Sequence, residues 1–97
     1  MGVGMASFIT RVELHQASWQ DYENLHKQME ARGFSQIILG SDGVWYKLPT
    51  AEYVATGSFD TAQVRDLARQ AANATGKSNS VLTCDYGSAA WIGLEKV

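Results

Sequence analysis

Hydrophobic and polar positions alternate strictly near the start of the chain. Phe8, Thr10, Val12 and Leu14 fall on one side, and Ser7, Ile9, Arg11 and Glu13 on the other. A period of two, rich in β-branched residues, predicts a strand over 7–14. The period then changes. Trp19, Tyr22, Leu25, Met29 and Gly33 step by threes and fours, which predicts a helix over 18–32 with these residues on its inner face. Ser18 suits the N-cap, where its hydroxyl accepts from the Asp21 amide. Glu23 and Lys27 form an i,i+4 pair. Gly33 suits the left-handed position that ends a helix.

The run 34–39 is short, apolar and β-branched, and Gly40-Ser-Asp-Gly43 after it signals a turn. Residues 44–48 read as extended, Pro49 interrupts because it has no N–H to donate, and 52–57 resumes as a strand. The region 34–57 is therefore expected to be a hairpin whose outer part, 40–50, projects beyond the sheet. A second helix opens at Asp60, with Gln63 completing a capping box and Phe59 and Val64 spaced as a hydrophobic staple. Val64, Leu67, Ala68, Ala71 and Thr75 form its inner face, and Gly76 ends it. Residues 80–86 read as a strand, Gly87-Ser88 as a turn, and 89–95 as a final strand. The order β-α-β-β-α-β is that of a ferredoxin-like α+β fold: two helices on one face of an antiparallel sheet, with an extra C-terminal strand.

Composition narrows the picture. Ninety-seven residues suit one domain, taken as 6–97, with 1–5 set aside as a disordered start or an expression scar. A hydrophobic share of 45% with a net charge of only −2 excludes intrinsic disorder. Eight basic against ten acidic residues exclude a strongly basic nucleic-acid module. The single cysteine, Cys84, excludes an internal disulfide framework and a multi-cysteine zinc site. It is expected to be a small buried strand residue. The absence of a long apolar run or a leader-like N-terminus implies no membrane partner and a cytoplasmic location.

Two short motifs carry no chemistry. Gly76-Lys-Ser78 resembles the end of a phosphate-binding loop, but Ala71 stands where the first glycine is needed, and the motif closes a helix instead of opening one. Asn73-Ala-Thr75 is a glycosylation sequon inside a predicted helix.

The side chains able to move protons are few. Glu13 lies on the open sheet face if Val12 and Leu14 face the helices, and Arg11 shares that face. A carboxylate at a strand end orients water or binds a divalent ion. His15 follows the strand. His26 sits four residues after Tyr22 at the margin of the apolar face. The two histidines lack a standard zinc spacing, and a site built on both would borrow Glu13 or Asp21. Arg65 and Arg69 form a small basic stripe on the second helix, enough for a weak RNA footprint only. Trp45, Tyr46, Tyr53, Tyr86 and Trp91 place aromatics in strands, for a core or an interface.

The runs Ala6-Ser-Phe-Ile-Thr-Arg-Val-Glu-Leu-His15, Trp19…Tyr22-Glu23…Leu25-His26…Met29-Glu30…Gly33-Phe34, Leu48-Pro-Thr-Ala-Glu-Tyr53 and Thr75-Gly-Lys-Ser78…Ser80-Val81-Leu82 resemble the GhoS-type family over about residues 6–83. The resemblance implies a Cas2-like ferredoxin fold and the activity of an endoribonuclease antitoxin of type V toxin–antitoxin systems, which cuts its toxin's mRNA. It also places Glu13 where Cas2-like nucleases carry an acid at the end of the first strand, paired across a dimer. His26 then faces the same end.

Two functions follow as expectations. The first is an endoribonuclease using Glu13, His15 and His26, with Arg11, Arg65 and Arg69 on the RNA; it requires no cofactor and is compatible with a divalent metal. The second is a non-enzymatic interaction module of the same fold. Either is expected to be a homodimer joined through the apolar segment 89–94.

Overall fold

A computed structural model describes residues 5–97. The reading of residues 1–4 lies outside the described residues. Met5 is exposed coil. The elements are β1 (Ala6–Leu14), α1 (Trp19–Ala31), β2 (Ile37–Leu39), β3 (Trp45–Lys47), β4 (Glu52–Gly57), α2 (Thr61–Asn73) and β5 (Asn79–Tyr86). The fold is α+β.

β1 lies between β4 and β5, antiparallel to both. Its alternation decides the two faces. Phe8, Thr10, Val12 and Leu14 are buried, and the core they enter holds Leu25 and Met29 of α1, Val64, Ala68, Ala71 and Ala72 of α2, Phe34, and Tyr53 of β4. The three alanines let α2 lie close against β1 and β5. Thr10 is a fully buried polar residue whose hydroxyl is satisfied by that of Thr83, 2.8 Å away on β5.

Both helices start as their sequences dictate. Ser18 accepts from the Asp21 amide, and the Asp21 carboxylate accepts from the Ser18 amide. Asp60 and Gln63 make the same reciprocal pair. These boxes satisfy amides that no helical carbonyl can reach. Gly33 takes the left-handed conformation after α1, with φ of 89°. Trp19 departs from the expected inner face: it is the first helical residue and 68% exposed, so the buried stripe begins at Tyr22. The Tyr22 hydroxyl accepts from the Leu14 amide at 3.1 Å and donates to the Leu14 carbonyl at 3.3 Å. It stands in for a strand neighbour where β4 no longer runs beside β1.

The hairpin β2–β3 forms a separate two-stranded sheet, projecting as the turn residues suggest. It joins the main sheet through one bridge, Ser35 to Val54. The expected final strand over 89–95 does not form. Residues 87–94 are irregular, and the chain pairs with β3 at the Tyr46–Lys96 bridge, flanked by bonds from the Lys47 amide to the Glu95 carbonyl and from the Val97 amide to the Trp45 carbonyl. Two causes stand out. Gly93 is left-handed, with φ of 81°, and three-residue β3 offers too short an edge to template a strand. Ile92 is accordingly 97% exposed.

Cys84 is exposed, not buried. It pairs with Ile9, whereas Thr83 pairs with inward-facing Thr10, so parity puts the thiol on the open face. Of Trp45, Tyr46, Tyr53, Tyr86 and Trp91, Tyr53 alone is in the core.

Candidate functional site

The open face of the sheet carries Ile9, Arg11 and Glu13 of β1 beside Ser80, Leu82 and Cys84 of β5. At one end the strands run out and the polar groups gather. Glu13 pairs with Ser80 and Leu14 with Asn79, and the His15 amide donates to the Ser78 carbonyl at 2.9 Å. The chain turns at once after that, with Gln16 left-handed.

This register fixes the His15 ring between two serines. Nδ1 lies 3.2 Å from Ser78 Oγ, and Nε2 lies 3.1 Å from Ser80 Oγ. Nε2 is also 3.5 Å from Glu13 Oε1, with the two side chains 42% and 66% exposed. A hydroxyl both donates and accepts, so the serines suit either neutral tautomer and the imidazolium. Glu13 then supplies the counter-charge once the ring is protonated. Arg11, Glu13, Ser80, Val81 and Leu82 surround a shallow depression of about 220 Å³ beside the pair. Sequence reading finds Glu13, His15 and Arg11 but not Ser78 and Ser80, which are more than sixty residues away in the chain. The pairing of β1 with β5 is the only signal that brings them in.

His26 lies elsewhere. Its Nδ1 is hydrogen-bonded to the hydroxyl of Tyr53, at 2.5 Å, in the layer between α1 and the sheet. Burial lowers its pKa below the ordinary 6.5, against a smaller opposing effect of Glu23. Burial likewise raises the Tyr53 phenol well above its usual range, so a protonated phenol is bonded to a ring that burial keeps neutral. His26 thus serves the fold as the hydrogen-bond partner of a fully buried hydroxyl. Arg65 and Arg69 sit on α2, on the helical side. Arg65 pairs with Asp66 at 2.8 Å, and Arg69 donates to the Asn79 carbonyl at 3.1 Å, tying α2 to the start of β5.

The His26–Tyr53 pair is expected to be asymmetric. His26→Leu leaves the Tyr53 hydroxyl buried without a partner, at a cost of about 1–3 kcal/mol. Tyr53→Phe removes the partner of a residue that is itself only part-buried, and costs about 0.5–1.5 kcal/mol. The pair also sets a pH dependence. Because folding depresses the His26 pKa, its contribution is complete above the ordinary value and is lost as pH falls below about 6.5, where the unfolded chain takes the proton first. Urea denaturation at pH 7.5 and 5 checks both points; the stability loss on acidification should shrink in His26→Leu.

Among the described residues no group of three histidine, cysteine, aspartate or glutamate side chains is arranged to hold a metal ion; Glu13 and His15 are two such donors. No described helix is long and apolar enough to cross a membrane. No family model matches the chain. No curated protein matches it significantly either.

Proposed function

We propose that the chain is a ferredoxin-like endoribonuclease, similar in role to the GhoS-type antitoxins, that cuts single-stranded mRNA in the cytoplasm. The exposed Glu13–His15 pair beside Arg11, at one end of an open sheet face, carries this reading. The strand order β4-β1-β5, with Ser35 bridging to the far side of β4, supports the ferredoxin-like assignment. His15 takes the proton of a ribose 2′-hydroxyl while Glu13 holds the resulting imidazolium. The 2′-oxygen attacks the adjacent phosphorus and the bond to the 5′-oxygen breaks. That oxygen leaves with a proton from water. Arg11 meets the phosphate charge. The products are a 2′,3′-cyclic phosphate and a 5′-hydroxyl.

Dimerisation fits the fold through β5, since the expected C-terminal strand does not form. β5 is an eight-residue edge strand, and among the described residues no strand pairs with its outer side. A second copy added there would continue the sheet, satisfy the edge and leave the open face accessible.

The test is incubation of the protein with end-labelled single-stranded RNA and with the same sequence carrying 2′-O-methyl riboses. Cleavage of the first only, leaving cyclic phosphate ends, is expected. Intact RNA across several sequences, with and without magnesium or manganese, would overturn the reading. It would leave the non-enzymatic interaction module, which the net charge of −2 and the 69% exposed Leu82 favour. Light scattering reads the dimer directly; a monomer mass at micromolar concentration removes it.

A further inference from the structure

The segment after β5 forms one wall of a groove. Residues 86–91 face the β2–β3 hairpin across a cleft of about 650 Å³, whose chemistry comes from Leu39, Asp42, Tyr46, Tyr86, Ala90 and Trp91. Three of these are aromatic and one is a carboxylate. The Tyr46 hydroxyl donates to Asp42 Oδ2 at 2.7 Å, and the Val44 amide donates to Oδ1 at 3.0 Å. These bonds, the one from Tyr46 foremost, hold the Asp42 carboxyl below its ordinary range and fix its direction. Each oxygen has a second lone pair, and the Asp42 amide lies near enough to act on the carboxylate as well. Trp91 stands edge-on to Tyr46, with ring centroids 5.5 Å apart. Gly40 makes the arrangement possible: a Cβ there would lie 2.5 Å from Asp42 Oδ1 and 3.1 Å from the Tyr46 ring. Lys96 is close enough to act on the Asp42 charge.

A fixed anionic acceptor among aromatic faces, with a lysine beside it, suits one nucleobase best. Guanine presents two adjacent N–H donors on its Watson–Crick edge, and a carboxylate accepts both. Adenine and cytosine offer a single amino group there, and uracil a single N–H. A basic peptide would also suit the aromatics and the carboxylate, but Lys96 opposes it. We propose that the groove is a guanine subsite: Asp42 accepts from the base edge, Tyr86 and Trp91 flank the ring, and Lys96 meets a phosphate.

The proposal rests on the ribonuclease reading for its source of guanine, and the sheet supplies the connection. Tyr86 pairs with Ser7, on the same face of β1 as Ile9, Arg11 and Glu13. From Ser7 to Glu13 the strand advances roughly 20 Å. The groove and the Glu13–His15 pair therefore lie at opposite ends of one face, and an RNA strand along that face reaches both.

The test measures binding of short labelled oligouridines that carry one central guanosine, inosine, adenosine or cytidine, using the His15→Ala protein so that cutting is slow on the time of the measurement. The guanosine strand is expected to bind roughly 5- to 150-fold more tightly than the adenosine or cytidine strands. Inosine, which lacks the second donor, should lose most of that preference whatever any variant does to folding. Asp42→Asn, with one acceptor oxygen in place of two, should abolish it. Trp91→Ala should weaken all strands alike through lost stacking. Equal affinities, inosine equal to guanosine, or a preference retained in Asp42→Asn would each overturn the subsite. Guanosine monophosphate binding more tightly than the guanosine strand would overturn its assignment to RNA. Guanine preference without any cleavage by the unmodified protein sinks the ribonuclease reading alone. Cleavage without that preference sinks the subsite alone.

Discussion

His15→Ala is expected to lower the rate of RNA cleavage by about 10²–10⁴-fold, the usual contribution of a positioned general base. The side chain is exposed and its two serine contacts are at the surface, so the variant should fold and melt like the parent. Glu13→Gln keeps the shape beside Nε2 but removes the counter-charge, and should cause a smaller loss confined to the catalytic rate. Single-turnover cleavage at saturating protein separates this from weakened binding. Added imidazole should restore part of the His15→Ala rate, because the missing group is a diffusible base. An unchanged rate in His15→Ala would take the residue out of the mechanism.

The largest stability effect is expected in the middle of β1. Phe8 is 1% exposed and packs into the core between the sheet and the helices. Phe8→Ala should cost about 3–5 kcal/mol, from lost transfer energy and the cavity left behind. A domain of this size has only about 5–15 kcal/mol in total. Ile92→Ala is the control, because that side chain is almost wholly in water and its truncation should change stability by no more than about 0.5 kcal/mol. Urea unfolding monitored by circular dichroism measures both. Equal losses in the two variants would mean that the core lies elsewhere.

These two residues also show what the sequence reveals and what it hides. Phe8 sits in an eight-residue alternation whose neighbours agree with it, so its inward direction follows from parity alone. The two capping boxes are equally local, each closing within four residues, and both form as their spacing dictates. Ile92 lies in an apolar run of the same appearance, but a strand needs a neighbour, and the short edge of β3 and the left-handed Gly93 deny it one. The same limit applies at the candidate site. Glu13 is legible because it alternates with Val12 and Leu14. The serines around His15 are not, because they depend on the register of a strand sixty residues away. His26 reads equally well as catalytic or structural until the buried hydroxyl of Tyr53 is known to need it. Residue type alone places Cys84 inside, whereas the register to Ile9 decides its exposure.

The Tyr22 hydroxyl, which both accepts from and donates to the backbone of Leu14, has a mechanical consequence. Leu14 immediately precedes His15, and Tyr22 belongs to the first turns of α1. The end of β1 is therefore tied to the helix and frays less readily than a free strand end. Releasing it breaks two side-chain bonds to α1 in addition to the ladder with β5. Opening at the Glu13–His15 end is thus coupled to α1, whose inner face packs in the core.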